Sequence, residues 1–154
     1  MLFRVQLAAV AMTALAGICL SAVSASAQEA AVKERQDLMG SFGEASKTLA
    51  AAAKGAPLDA GVVKAAEDIG AGMKKIPGLF PAGTDSDKMK NRAKPEIWAD
   101  MAKFTAYAND GAAAYGALAA SAKGGDAAAY QAAFTKAAAV CAACHKDFRG
   151  PAVR

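Results

Sequence analysis

Histidine is nearly missing from this sequence, and cysteine is scarce. The 154 residues include one histidine, His145, and three cysteines, Cys19, Cys141 and Cys144. A structural zinc site takes about four cysteine or histidine ligands, and Cys19 lies in a segment that we expect to be removed. The ligands that remain are too few, so the sequence excludes a site of this kind.

Long apolar runs are missing after residue 20. The one such run, from Leu7 to Leu20, follows Arg4 and precedes the small residues Ala25-Ser26-Ala27, which is the pattern of a secretory signal peptide. The run is too short for a membrane-spanning helix, which needs roughly 20 apolar residues. We predict that residues 1–27 are cleaved and that the mature protein, beginning at Gln28, is exported to the periplasm without a stable membrane anchor.

The sequence also lacks a strong charge of either sign. Its formal net charge is +4, and removal of residues 1–27 takes away Arg4 and no acidic residue, so that the charge becomes +3. The charges are interspersed and form no dense basic stripe of the kind that nucleic-acid binding requires. We expect no nucleic-acid partner, and residues 28–154 suffice for a single domain with one core.

Alanine is abundant and β-branched runs are rare, and glycines and prolines divide the mature sequence into helix-sized segments. We predict four helices, at about 29–54, 59–75, 95–124 and 126–148, with Asp59 and Asp126 as N-caps. An apolar stripe on the first helix should face inward; it consists of Val32, Arg35, Met39, Phe42, Ser46 and Leu49. The short links predict an all-α antiparallel four-helix bundle.

The last predicted helix contains a Cys-x-x-Cys-His motif at Cys141, Cys144 and His145. This motif is typical of covalent haem attachment, in which each thiol adds to one vinyl group and the histidine binds the iron. On a helix these residues share one face, because positions i, i+3 and i+4 lie above one another. That face would form one wall of a haem site.

Two other uses of the cysteines are open. A thiol redox centre usually begins a helix, where the dipole lowers the thiol pKa, whereas this motif ends one. A structural disulfide would leave His145 without a role. Covalent attachment of one haem c uses all three side chains and is the interpretation that we adopt.

A helical bundle with this motif in its final helix resembles the class II c-type cytochromes, that is, cytochrome c′ and its low-spin relatives of the c-556 type. Three further segments resemble that family: Arg35-Gln36-Asp37-Leu38-Met39, Leu79-Phe80-Pro81, and Lys94-Pro95-Glu96-Ile97-Trp98. By this resemblance, Cys141 and Cys144 carry the haem and His145 is the proximal iron ligand. Met39 would lie over the distal face, and Arg35 and Gln36 would contact the haem propionates.

The function depends on Met39. A methionine paired with a histidine raises the potential of haem iron and suits electron transfer, but a methionine also fills cores without a ligand role. Gly40 and Gly43 beside it would let the first helix approach the iron. Our first hypothesis is therefore a low-spin carrier of single electrons with His145 and Met39 as axial ligands. The alternative is a five-coordinate, high-spin cytochrome c′ that binds nitric oxide or carbon monoxide.

We do not expect an enzyme. A haem peroxidase normally needs a distal acid or base, and the chain has no second histidine. The expected partners are redox proteins of the periplasm, and the choice between monomer and homodimer is open. Five aromatic residues are candidates for the haem wall or the bundle core: Phe42, Phe80, Trp98, Phe104 and Phe148.

Overall fold

The computed structural model describes residues 24–152, and within them the chain forms a four-helix bundle. The long helices are α1 (Ala25–Ala53), α2 (Ala60–Met73), α4 (Met101–Gly124) and α5 (Ala127–Phe148). A 3₁₀ turn (Ile76–Leu79) and a short helix α3 (Glu96–Ala99) flank the long connection between α2 and α4. The predicted all-α bundle is confirmed. The predicted signal peptide lies mostly outside the described residues, and its cleavage point falls in the first turn of α1.

The predicted caps are present at two helices. The Asp59 side chain accepts a hydrogen bond from the backbone N–H of Val62 at 3.0 Å, and Asp126 accepts from Ala128 and Ala129 at 2.9 and 3.0 Å. Gly125, at φ 71°, ends α4 in the left-handed conformation that favours glycine. These residues fix the short turns that set the antiparallel order of the helices.

The third predicted helix is interrupted. We expected one helix to continue from Pro95, but Asp100 leaves the helical region at φ −137° and ψ 65° and separates α3 from α4. Its side chain accepts from the backbone N–H of Lys103 at 2.9 Å and thereby caps α4. A short acidic side chain offers the backbone this alternative to a continuous helix.

The core lies where α2 packs on α4 and α4 packs on α5, with α1 closing the bundle against α2 and α5. Small residues allow the close approach of these helices, since Ala66 and Ala137 are fully buried. The fully buried Tyr130 donates its hydroxyl to the carbonyl of Leu49 at 3.1 Å and so joins α5 to α1. The apolar packing is therefore continuous through the bundle, except where a cavity opens.

Candidate functional site

A cavity of about 600 Å³ opens inside the bundle, with walls from α1, α2, α4 and α5. All six residues predicted for the site line it: Arg35, Gln36, Met39, Cys141, Cys144 and His145. The volume falls within the range of about 300–1,000 Å³ that is typical of small-molecule and cofactor sites. The structure thus brings together residues that are separated by up to 110 positions in the sequence.

One wall is the face of α5 that carries the Cys-x-x-Cys-His motif. Cys141 and Cys144 are free, half-buried thiols. Burial raises the pKa of Cys144 to about 11, so this thiol is protonated at neutral pH. The hydroxyl of the buried Tyr115, on α4, lies 3.5 Å from the Cys141 sulfur. The thiols therefore face the cavity rather than each other in a disulfide.

His145 lies on the same face, one position after Cys144. Partial burial of its imidazole lowers the pKa of His145, and the nearby positive charges of Arg149 and Arg92 lower it further. A lowered pKa favours the neutral imidazole, which is the form that binds a metal ion. His145 is thus in the correct state for a ligand at neutral pH.

The α1 wall contains Met39, which is half-buried and packs against the core. Gly40 and Gly43 line the cavity beside it, and a Cβ atom built on either glycine would meet no protein atom within 4 Å. Protein packing in the described structure therefore does not require glycine at these two positions. Any steric demand on them would come from the occupant of the cavity.

A second methionine also lines the cavity. Met73, near the end of α2, is 7% exposed and reaches the wall. Met101 packs against the core and does not line the cavity. Both Met39 and Met73 must therefore be considered when axial ligands are tested.

Arg35 is the buried charged residue of this site, whose wall also includes Arg92 and Arg149. It is 4% exposed and donates to the Leu79 carbonyl, to Thr84 and to Asn91, and its guanidinium lies 4.4 Å from the centroid of the Phe80 ring. Burial lowers the pKa of Arg35 to about 10, so the group remains protonated at neutral pH. Within residues 24–152 no carboxylate pairs with it. A buried cation without an acidic partner is costly, and the cavity offers space for an anion.

The aromatic residues divide into two groups. Phe42, Phe80, Phe104 and Phe148 line the cavity, whereas Trp98 does not. Trp98 instead donates its indole N–H to the carbonyls of Phe80 and Pro81 at 3.0 and 3.2 Å and supports the turn behind the wall. Wall residues that the sequence analysis did not select include Ile69, Tyr107, Tyr115 and Asn91.

These features fit a covalently bound haem. An apolar macrocycle needs an apolar cavity, its two vinyl groups need two thiols, its iron needs a neutral imidazole, and its propionates need a cation. The cavity provides each of these from the residues described above. In the described part of the chain, no group of three or more His, Cys, Asp or Glu side chains is arranged to hold a metal ion.

No helix within residues 24–152 combines the length and the apolar character that crossing a bilayer demands.

The chain was compared with known proteins. Residues 30–149 match the family model described as Cytochrome C′. A cytochrome c′ of Pararhodospirillum photometricum is 38% identical over 122 residues, which are 79% of this chain and 97% of that protein. A cytochrome c-556 of Agrobacterium tumefaciens is 42% identical over 79 residues, or 50% of this chain and 62% of that protein.

A solved structure shows the same fold. The nitric oxide complex of a variant of cytochrome c′ from Alcaligenes xylosoxidans is 30% identical, with a TM-score of 0.71, and the match covers 80% of this chain and 97% of that one.

Proposed function

The chain belongs to the cytochrome c′ family of class II c-type cytochromes, which carry one covalent haem c, and we propose that it is a five-coordinate, high-spin member that binds nitric oxide or carbon monoxide. The observation that carries this proposal is the extent of the similarity between this chain and cytochrome c′. The match to a cytochrome c′ spans 97% of that relative, and a structural relative was solved as a nitric oxide complex. A single histidine in the chain leaves no imidazole for the opposite side of the iron.

In this proposal α5 holds the cofactor. Cys141 and Cys144 would hold the haem through two thioether bonds, each made by addition of the S–H group across a vinyl group. The neutral imidazole of His145 would bind the iron. When bound, the haem supplies an iron atom that binds small gases and changes its charge by one electron. The helical spacing of the three residues and their common cavity wall support these roles.

Arg35 and Gln36 are the residues that would contact the haem propionates. Arg35 is buried with only neutral acceptors around it, which supports an anionic partner in the cavity. Gln36 is exposed and lines the mouth of the same cavity, where its amide can donate to a carboxylate. Both residues come from the first helix, so a haem in the cavity would be held from α1 as well as from α5.

The low-spin electron carrier is the second candidate. It is favoured by the position of Met39 in the cavity wall and by the 42% identity to a cytochrome c-556. That match, however, spans 62% of the relative, whereas the match to cytochrome c′ spans almost the whole protein. The prediction of His/Met ligation is therefore not confirmed, and the high-spin alternative is the better supported of the two.

Optical spectra of the purified holoprotein test the choice. We expect a high-spin ferric spectrum in the wild type, binding of carbon monoxide and nitric oxide by the ferrous form, and no change of spin state in Met39→Leu. Met73→Leu is the matched control from the same wall. A low-spin wild type that becomes high-spin in Met39→Leu but not in Met73→Leu would favour the carrier. A protein that is colourless after expression in a host that matures c-type cytochromes would contradict both.

The intact mass of the same sample tests where the predicted signal peptide is cleaved. We propose export to the periplasm and cleavage after Ala27, which would leave Gln28 as the first residue. The Gln28 side chain donates to the carbonyl of Ala82 at 2.9 Å, so the new terminus would be attached to the long connection. The expected mass is that of residues 28–154 plus one haem, and any other N-terminus would contradict the proposed cleavage point.

A further inference from the structure

The long connection between α2 and α4 joins two parts of the cavity that are distant in sequence. Its residues 84–94 contact Arg35 of α1 at one end and the end of α5 at the other. Thr84 and Asn91, in this segment, are 0% and 6% exposed. Buried polar side chains in an irregular segment are uncommon unless they are fully hydrogen-bonded.

At the α5 end, backbone groups form the contact. The N–H of Lys94 donates to the carbonyl of Phe148 at 3.1 Å, and the N–H of Gly150 donates to the carbonyl of Arg92 at 2.8 Å. The Arg92 side chain also donates to the Gly150 carbonyl at 2.8 Å. The segment therefore fixes the residues that follow His145 and limits the freedom of the last turn of α5.

At the Arg35 end, side chains form the contact. The Nη2 atom of Arg35 donates to the Thr84 carbonyl at 2.6 Å and to Asn91 Oδ1 at 3.1 Å, and Nη1 donates to the Thr84 hydroxyl at 2.8 Å. The orientation of the guanidinium at the cavity thus depends on where this segment places its acceptors.

Asn91 connects the two ends. Its Oδ1 accepts from Arg35 and from the backbone N–H of Ala93 at 2.8 Å. Its Nδ2 faces three carbonyl oxygens, those of Thr84, Asp85 and Met89, at 3.1, 3.3 and 3.0 Å. Two donors facing the oxygen and three acceptors facing the nitrogen define the orientation of the amide. One side chain therefore holds both the charge of Arg35 and the start of the segment that contacts α5.

We propose that Asn91 is a positioning residue of the haem site, which holds the Arg35 guanidinium at the cavity and thereby sets the ferric/ferrous equilibrium. This proposal rests on the proposed function, in which Arg35 faces the haem propionates. A positive charge held close to the haem favours the ferrous form, because reduction removes one unit of positive charge. Loss of Asn91 removes one acceptor of Arg35 and also the donor that holds the Thr84 carbonyl, a second acceptor of Arg35. The guanidinium is then held less firmly at the cavity, so the reduced form loses part of this stabilisation.

The test is a spectroelectrochemical titration of the holoprotein. In Asn91→Ala we expect the equilibrium to shift toward the ferric form about threefold, which corresponds to about 28 mV for a one-electron couple. Asn109→Ala, at an exposed position of α4, is the matched control and should leave the potential unchanged. In an Arg35→Gln background, Asn91→Ala should cause no additional shift, since Asn91 acts through Arg35.

A second variant tests the proposal in case Asn91→Ala folds poorly. Asn91→Ser removes the acceptor of Arg35 without adding a charge and keeps a polar group in the buried segment, so we expect a shift in the same direction. Unchanged potentials in both variants, or an equal shift in the Arg35→Gln background, would overturn the proposal. Failure of both variants to accumulate, with Asn109→Ala normal, would overturn it as well, because Asn91 would then serve folding. If even the wild type lacks haem, it is the proposed function that fails.

Discussion

Single residues determine how closely α1 and α2 approach. A Cβ atom at Gly72 would lie 2.5 and 2.6 Å from the Phe42 ring and 3.1 Å from the Leu38 side chain. The Phe42 ring is buried and lines the cavity, so it has to shift to admit this atom, and a haem in the cavity would limit that shift. Gly116, within α4, is exposed, and a Cβ atom there would meet nothing within 4 Å. Packing thus requires glycine at position 72 and does not require it at position 116.

This contrast predicts opposite effects of one substitution. Gly72→Ala should lower the free energy of unfolding by about 1–3 kcal/mol, because an inserted methyl group must displace packed side chains. Gly116→Ala should raise it by up to about 1 kcal/mol, since alanine favours a helix over glycine. Urea denaturation of both variants measures the two changes. A Gly72→Ala protein as stable as the wild type would show that Phe42 moves freely.

The residues of the site could be predicted from sequence only where a local pattern marks them. Cys141, Cys144 and His145 form a motif of fixed spacing, and Arg35, Gln36 and Met39 were assigned by the resemblance of their segment to a family. The structure places all six at one cavity. No local pattern marks Tyr115 or Asn91 as part of a site. Their roles arise from contacts with residues 26 and 56 positions away, and no local spacing contains that information.

At the scale of whole elements, the positions of glycine, proline and aspartate predicted the four long helices well. It did not predict the interruption at Asp100, because an aspartate within a helix and an aspartate that caps one look the same in a sequence. It also gave no structure for residues 77–94, which are ordered by distant partners such as Arg35 and α5. Long-range hydrogen bonds, rather than propensity, determine that connection.

The contact between α4 and the end of α5 gives a prediction at this scale. The Asp147 carboxylate on α5 accepts from Tyr107 and pairs with Lys103 of α4, both at 2.9 Å. The hydrogen bonds from Lys103 and Tyr107 lower the pKa of Asp147 below its usual range. A carboxylate with a lowered pKa stabilises the fold above its unfolded pKa of about 3.9, and this contribution is lost as the pH falls through the folded pKa.

We therefore expect Asp147→Asn to be less stable than the wild type at pH 7. The difference should begin to diminish as the pH falls below the unfolded pKa of about 3.9, and it should disappear only as the pH falls through the lowered pKa of Asp147, where the folded wild-type carboxylate is protonated as well. Urea unfolding midpoints between pH 3 and pH 7 measure it. Asp110→Asn, at an exposed position of α4, controls for the loss of one negative charge. A difference that stays constant over this range would mean that Asp147 acts through packing and not through its charge.

At the scale of the molecule, the cavity makes the bundle dependent on its cofactor. Four helices contribute to its walls, and the side chains on them include Ile69, Phe104 and Phe148, which are buried and apolar. Around a cavity of about 600 Å³, these side chains lack packing partners on one side, and unfilled apolar space lowers stability. We therefore expect the bundle to depend on an occupant to keep its helices packed.

The double variant Cys141→Ser/Cys144→Ser tests this dependence. Without thiols the haem cannot be attached covalently and is lost on extraction, so we expect a chain that keeps helical far-ultraviolet circular dichroism but loses near-ultraviolet signals and cooperative unfolding. Cys144→Ser alone, which retains one attachment point, should remain cooperative with reduced stability. If the double variant without haem unfolded as cooperatively as the wild type, protein contacts alone would hold the four helices together. The cavity would then be a binding site and not a structural requirement.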